Sequence, residues 1–169
     1  MGRITTAARR SAFLGILLAL ALALSWVERF IPMPTGLYGV KIGLANTVLL
    51  YAVYLLDIPS TVGLMLARVT IAAMLFTGLT GFFYSLAGGV LSTLVMLLMK
   101  RIPSFSIIGV SIAGAVSHNI GQILVACVLV QSRILLGYLP ILMIAAVVTG
   151  MLTGTVARLV IRALPHTES

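Results

Sequence analysis

The chain has 169 residues, 61% of them hydrophobic and 8% charged, with 11 Lys and Arg against 3 Asp and Glu and a formal net charge of +8. A soluble domain carries roughly 25% charged side chains, and so few cannot clothe a water-facing surface. The single cysteine excludes a disulfide scaffold, and Glu28, Asp57 and Glu168 as the only acids all but exclude catalysis by carboxylate pairs. In a chain this apolar the basic residues belong to a bilayer rather than to nucleic acid.

Charge-free stretches run from Ser11 to Val27, Ile42 to Leu56, Val69 to Met99, Ile102 to Ser132 and Ile134 to Ala157. A helix needs about 20 residues to cross roughly 30 Å of hydrocarbon. The apolar run from Ile58 to Met99 is about twice that length, and Thr77-Gly78-Leu79-Thr80-Gly81 interrupts it. The spacing predicts an all-α integral membrane bundle of six helices in one membrane domain, at about 11–31, 37–56, 58–76, 80–99, 106–131 and 135–162. With the N-terminus inside, Arg3, Arg9, Arg10, Lys100, Arg101, Arg158 and Arg162 fall on one side, and Arg29, Lys41 and Arg133 on the other. Both termini are therefore expected in the cytoplasm. Arg9-Arg10 before an apolar run, with Ala-x-Ala at 19–21 and 21–23, also has the outline of a secretory signal. The run exceeds the usual 7–15 residues of a signal core and further spans follow, which favours a retained helix.

The first predicted helix carries a small-residue stripe, Ala8, Ala12, Gly15, Ala19 and Ala23. Such spacing lets another helix approach closely, either within the bundle or from a partner protein. The partner reading draws on the stripe's start in the polar segment Ala8-Arg9-Arg10-Ser11-Ala12. The second helix opens with Tyr38-Gly39-Val40-Lys41-Ile42-Gly43-Leu44-Ala45-Asn46, where Lys41 either snorkels to the interface or faces a ligand. In the third, Arg68 lies 11 residues past Asp57, roughly 16 Å deep and near the midplane. An unpaired arginine there costs at least ~2.5–3.5 kcal/mol, so it pairs with Glu28, with carbonyls or with a ligand. The fourth carries Tyr84 and Gly88-Gly89, and the sixth Gly150 and Gly154, both glycine pairs suited to close packing. The fifth holds the densest polar group, Ser111, Ser117, His118, Asn119 and Gln122. Gly114, His118 and Gln122 share one face, beside a small-residue face of Ala113, Ser117 and Gly121. A lone buried histidine is usually bonded to a neighbouring helix, but His, Asn and Gln at one depth suggest a ligand face.

Nothing here resembles a Walker loop, a zinc-ligand spacing, a nucleophile elbow or the aspartate cluster that holds magnesium and a diphosphate. Catalysis by the chain unaided is not expected, and neither is a cofactor or metal. Lys41-Ile42-Gly43-Leu44-Ala45-Asn46, Phe83-Tyr84-Ser85-Leu86-Ala87-Gly88-Gly89 and the run from Gly109 to Gln122 resemble the family labelled Gx transporter or heptaprenyl diphosphate synthase component I. That family is similar to the substrate-binding S components of energy-coupling-factor (ECF) vitamin transporters. The resemblance implies six helices, cytoplasmic termini, a ligand site opening outward, residence in a bacterial cytoplasmic membrane, and a small-residue motif on helix one that docks a coupling subunit. Ala8-x-x-x-Ala12, with Gly15, matches the form of that motif. ATP would be used by separate ATPase subunits. The substrate face is expected to comprise Lys41, Asn46, Arg68, Tyr84, His118, Asn119 and Gln122. Arg68, Lys41 and a protonated His118 set against Glu28 favour an anionic ligand, whereas an Arg68–Glu28 pair leaves a neutral pocket. Met65, Met74, Phe82, Phe83 and Tyr84 suit an apolar or ring-shaped body, from a vitamin to an isoprenoid precursor. The second reading of the family label is a noncatalytic membrane component that accompanies a prenyl synthase.

Overall fold

The computed structural model describes residues 2–28, 30 and 44–163, with side chains placed for residues 8–27, 30 and 45–163. The described chain is helical nearly throughout: α1 (Gly2–Glu28), α2 (Leu44–Leu55), α3 (Ile58–Ala72), a π turn (Ala73–Thr77), α4 (Gly78–Met99), α5 (Ile107–Val130), a 3-10 turn (Arg133–Tyr138) and α6 (Leu139–Ala163). No strand occurs among the described residues. Helix α1 begins well before the expected residue 11, because its polar first turns wind on ahead of the apolar window Ala8–Val27. Ala8 and Ala12 are thus helical. Helix α6 begins later than expected, at Leu139, since the six residues before it form the tighter 3-10 turn.

Burial is inverted relative to a soluble domain. Ser60, Thr61, Ser92, Thr93, Ser111, Ser117, Thr149 and Thr153 are buried, whereas Ile16, Leu79, Val128, Ile134, Ile144 and Leu159 are exposed. In water that arrangement would leave a large apolar surface unprotected; in lipid, small residues and hydroxyls make the helix contacts and large apolar side chains face the acyl chains. Four stretches are long and apolar enough to cross a membrane: Ala8–Val27, Ile58–Met99, Ile107–Val130 and Arg133–Ala163, with Ala45–Leu55 a shorter apolar helix. The protein is a multi-pass membrane protein.

Two glycine devices shape the bundle. At the expected break, Gly78 adopts φ +67°, a left-handed value natural to glycine, and the chain turns back. Gly89 of α4 then packs against Met65 and Val69 of α3. Further on, α4, α5 and α6 touch through backbone. A Cβ on Gly121 would lie 2.7 Å from the Ala87 carbonyl oxygen, and one on Gly150 2.7 Å from the Ile112 Cα. Gly154 sits against Ile108 and Ser111, and Ser111 shares a hydrogen bond of 3.0 Å with Thr153. The contact between α5 and α6 is the most extensive in the bundle, and α1 packs more lightly on α2 and α3.

One end of the bundle is held by charge. Arg10 of α1 pairs with Asp57 in the α2–α3 turn and donates to the Ser60 hydroxyl at 2.6 Å. Lys100, just past α4, donates to the Val53 carbonyl at 2.7 Å and sits 5.4 Å from the centre of the Tyr54 ring. A lysine on the last carbonyls of a helix satisfies acceptors that have no partner within it.

Candidate functional site

The polar residues gather away from that end, around a cavity of about 120 Å³ among α1, α3, α4 and α5. Ser25 comes from α1; Met65, Arg68, Val69 and Ala72 from α3; Phe76 and Thr77 from the π turn; Ser85 and Gly89 from α4; His118 and Gln122 from α5. Spacing explains the selection: Met65, Arg68, Val69 and Ala72 follow a three–one–three pattern on one face of α3, and His118 and Gln122 are one turn apart. Thr77 is exposed, so the cavity meets the outside at the turn.

Arg68 is half-buried and donates through Nη1 to the Asn46 side-chain oxygen at 3.0 Å, which fixes the guanidinium against α2. His118 lies against the bare backbone of Gly88, where a Cβ would fall 2.8 Å from its ring and 2.9 Å from Gln122. Gly88 therefore acts as a slot that lets α5 present these two polar side chains to the cavity. The Ser25 hydroxyl oxygen is sealed from solvent and has no hydrogen-bond partner among the described residues. No acidic side chain lines the cavity among the described residues, nor do three His, Cys, Asp or Glu cluster to hold a metal ion.

Of the residues expected at a substrate face, Arg68, His118 and Gln122 share this cavity, and Asn46 joins them through Arg68. Asn119 is turned toward α6, where it donates to the Leu142 carbonyl at 3.0 Å. Asn119 is rotated by about 100° from His118, which turns it to the α6 side of α5. Tyr84 does not line the cavity; its neighbour Ser85 does. Lys41 and the side chain of Glu28 lie outside the described residues. Sequence reasoning missed Ser25, Phe76, Thr77 and Ser85. Single hydroxyls in apolar helices carry no spacing signal.

The small-residue stripe of α1 faces outward along its length: Ala8, Ala12, Gly15, Ala19 and Ala23 are all exposed, while Leu17 and Ala21 are buried. Beside it an apolar groove of about 410 Å³ runs between α1 and α3, lined by Leu14, Gly15, Leu18, Pro59, Ser60, Gly63, Leu64 and Ala67. A Cβ on Gly15 or Gly63 would meet nothing within 4 Å.

Fold and cavity together define a helical membrane protein with a polar chamber inside its apolar bundle. The chain belongs to the heptaprenyl diphosphate synthase component I family, whose model matches residues 17–160. Comparison with curated proteins and with solved structures gives no match.

Proposed function

We propose that this protein is the membrane substrate-binding subunit, resembling an ECF S component, of an importer for a small anionic molecule, vitamin-like or a precursor, in a bacterial cytoplasmic membrane. The polar cavity carries the reading: an arginine, a histidine, a glutamine and three hydroxyls meet inside a lipid-facing bundle, where polar groups are costly unless they serve a ligand or a pathway. With no ATPase motif in the chain, the energy comes from separate coupling and ATPase subunits. The outward stripe of Ala8, Ala12 and Gly15 with its groove offers a surface on which a coupling subunit's helix fits. In this reading the chain crosses six times with both termini in the cytoplasm. The 42-residue stretch Ile58–Met99 crosses twice, reversing at Gly78, and the ends of α1, α3 and α4 that meet at Arg10, Asp57 and Lys100 face the cytoplasm.

The family description favours a second reading, a noncatalytic membrane component accompanying a prenyl synthase. Purification from native membranes at natural expression separates the two. Recovered ATPase subunits, with a small molecule that Arg68→Gln releases, support the importer; recovery of a soluble prenyl synthase in their place overturns it.

A further inference from the structure

The segment that leads into α6 keeps its side chains at the surface. None of the six residues of the 3-10 turn Arg133–Tyr138 is buried; Ile134 is 81% exposed, and Leu136 and Tyr138 are exposed beside it. Arg133, which opens the turn, is exposed too. Length decides what surrounds them. The stretch from Leu139 to Ala157 is free of charge, and at 1.5 Å per residue it is about 28 Å long, enough to cross roughly 30 Å of hydrocarbon before Arg158. The turn ahead of it is left for the headgroup layer, about 5–7 Å deep on each side of a bilayer. Six residues of 3-10 helix at about 2.0 Å each measure about 12 Å, too long to stand upright in that layer.

We infer that Arg133–Tyr138 lies along the membrane surface as an interfacial anchor, with Ile134 and Leu136 in the outermost acyl region and the Arg133 guanidinium on a phospholipid phosphate. An upright turn would lift Ile134 into water, whereas a turn laid flat lets lipid cover it. Arginine extends its charged end to the phosphates while its stem stays with the acyl chains, and tyrosine, at the other end of the turn, is enriched in that layer. The backbone suits the position. The Ser132 hydroxyl accepts from the Ile134 amide, and the Leu139 amide donates to the Leu136 carbonyl, so both ends of the turn satisfy donors locally. The length match holds whichever way the chain is inserted. Since α6 starts directly after Tyr138 and makes its most extensive contact with α5, the anchor sets the depth of that helix pair.

Electron paramagnetic resonance of the full chain in dioleoylphosphatidylcholine vesicles tests this, with Cys127→Ala and a nitroxide on Ile134→Cys. Collisions with oxygen, which concentrates in lipid, are compared with collisions with a water-soluble nickel chelate. The label is expected to favour oxygen. Arg133→Glu, whose carboxylate the phosphates repel, should lower the oxygen-to-nickel ratio severalfold, and Arg133→Lys should keep most of it. Both residues are exposed, so the denaturation midpoint of each variant should stay with that of the parent. A label that favours nickel in the parent overturns the anchor. An oxygen-favouring label that Arg133→Glu does not move overturns the phosphate contact. Dipolar broadening between labels puts a second copy of the chain on this face and overturns lipid as its cover.

Discussion

Arg68 and Asn46 come from helices separated by a turn, yet a 3.0 Å hydrogen bond ties this cation of the cavity wall to α2. Hydrogen bonds to charged groups contribute about 1.5–3 kcal/mol, so Asn46→Ala is expected to lower stability by up to about that amount, read as an earlier midpoint in denaturant titration of the micellar protein. An unchanged midpoint would mean that Asn46 does not anchor the guanidinium. At the opposite end, the Ser60 hydroxyl foremost, and the Arg10 guanidinium with it, hold the Asp57 carboxyl below the usual carboxylate range. A folded-state pKa that is depressed gives stabilisation present above the ordinary value and lost as pH falls through the lowered one. Strong acid should therefore loosen α1 first, seen as faster amide exchange in residues 8–14, and Asp57→Asn should show that fast exchange at neutral pH already. Both Asn46 and Arg68 stand out in the sequence as polar residues in apolar runs, but their pairing does not: residues 22 apart meet only through the fold. Ser25 is less legible still, since serine is common in membrane helices and nothing in its neighbours marks it as facing a chamber.

Helix positions were the most readable feature, because a bilayer dictates length and charge marks the ends. The interruption at Thr77–Gly81 is visible in composition; that a π turn precedes it, putting Phe76 and Thr77 on the cavity, is not, since a π turn has no residue pattern of its own. The glycine pairs illustrate the same division. Gly15, Gly63, Gly121 and Gly150 look alike in sequence, yet two face open space and two touch backbone. Gly150→Val should then destabilise by about 1–3 kcal/mol or more, because the Ile112 backbone cannot yield. Gly63→Leu should leave the denaturation midpoint near that of the parent. Under the importer reading, it should also abolish copurification of the coupling subunit by filling the groove. Equal midpoints for the two variants would contradict the packing described for α5 and α6.

For the whole molecule, the six-crossing topology proposed above puts Thr77 and Lys100 on opposite sides of the membrane. With Cys127 replaced by alanine, a cysteine at Thr77 should react with an impermeant maleimide in intact cells, and one at Lys100 only after the cells are opened. Labelling of both in intact cells would refute that topology. The uneven packing of the bundle also bears on how the chain is made. Of the described helices, α1, whose described residues bury only Leu17 and Ala21, is made before the others, and the glycine-seated α5–α6 contact forms after them. At roughly 5–20 residues per second, the 135 residues between Glu28 and Ala163 take roughly 7–27 s to synthesise. Until then the earlier helices lack the α5–α6 contact that completes the bundle, so ribosomes stalled before α6 should yield fragments that membrane proteases clear quickly.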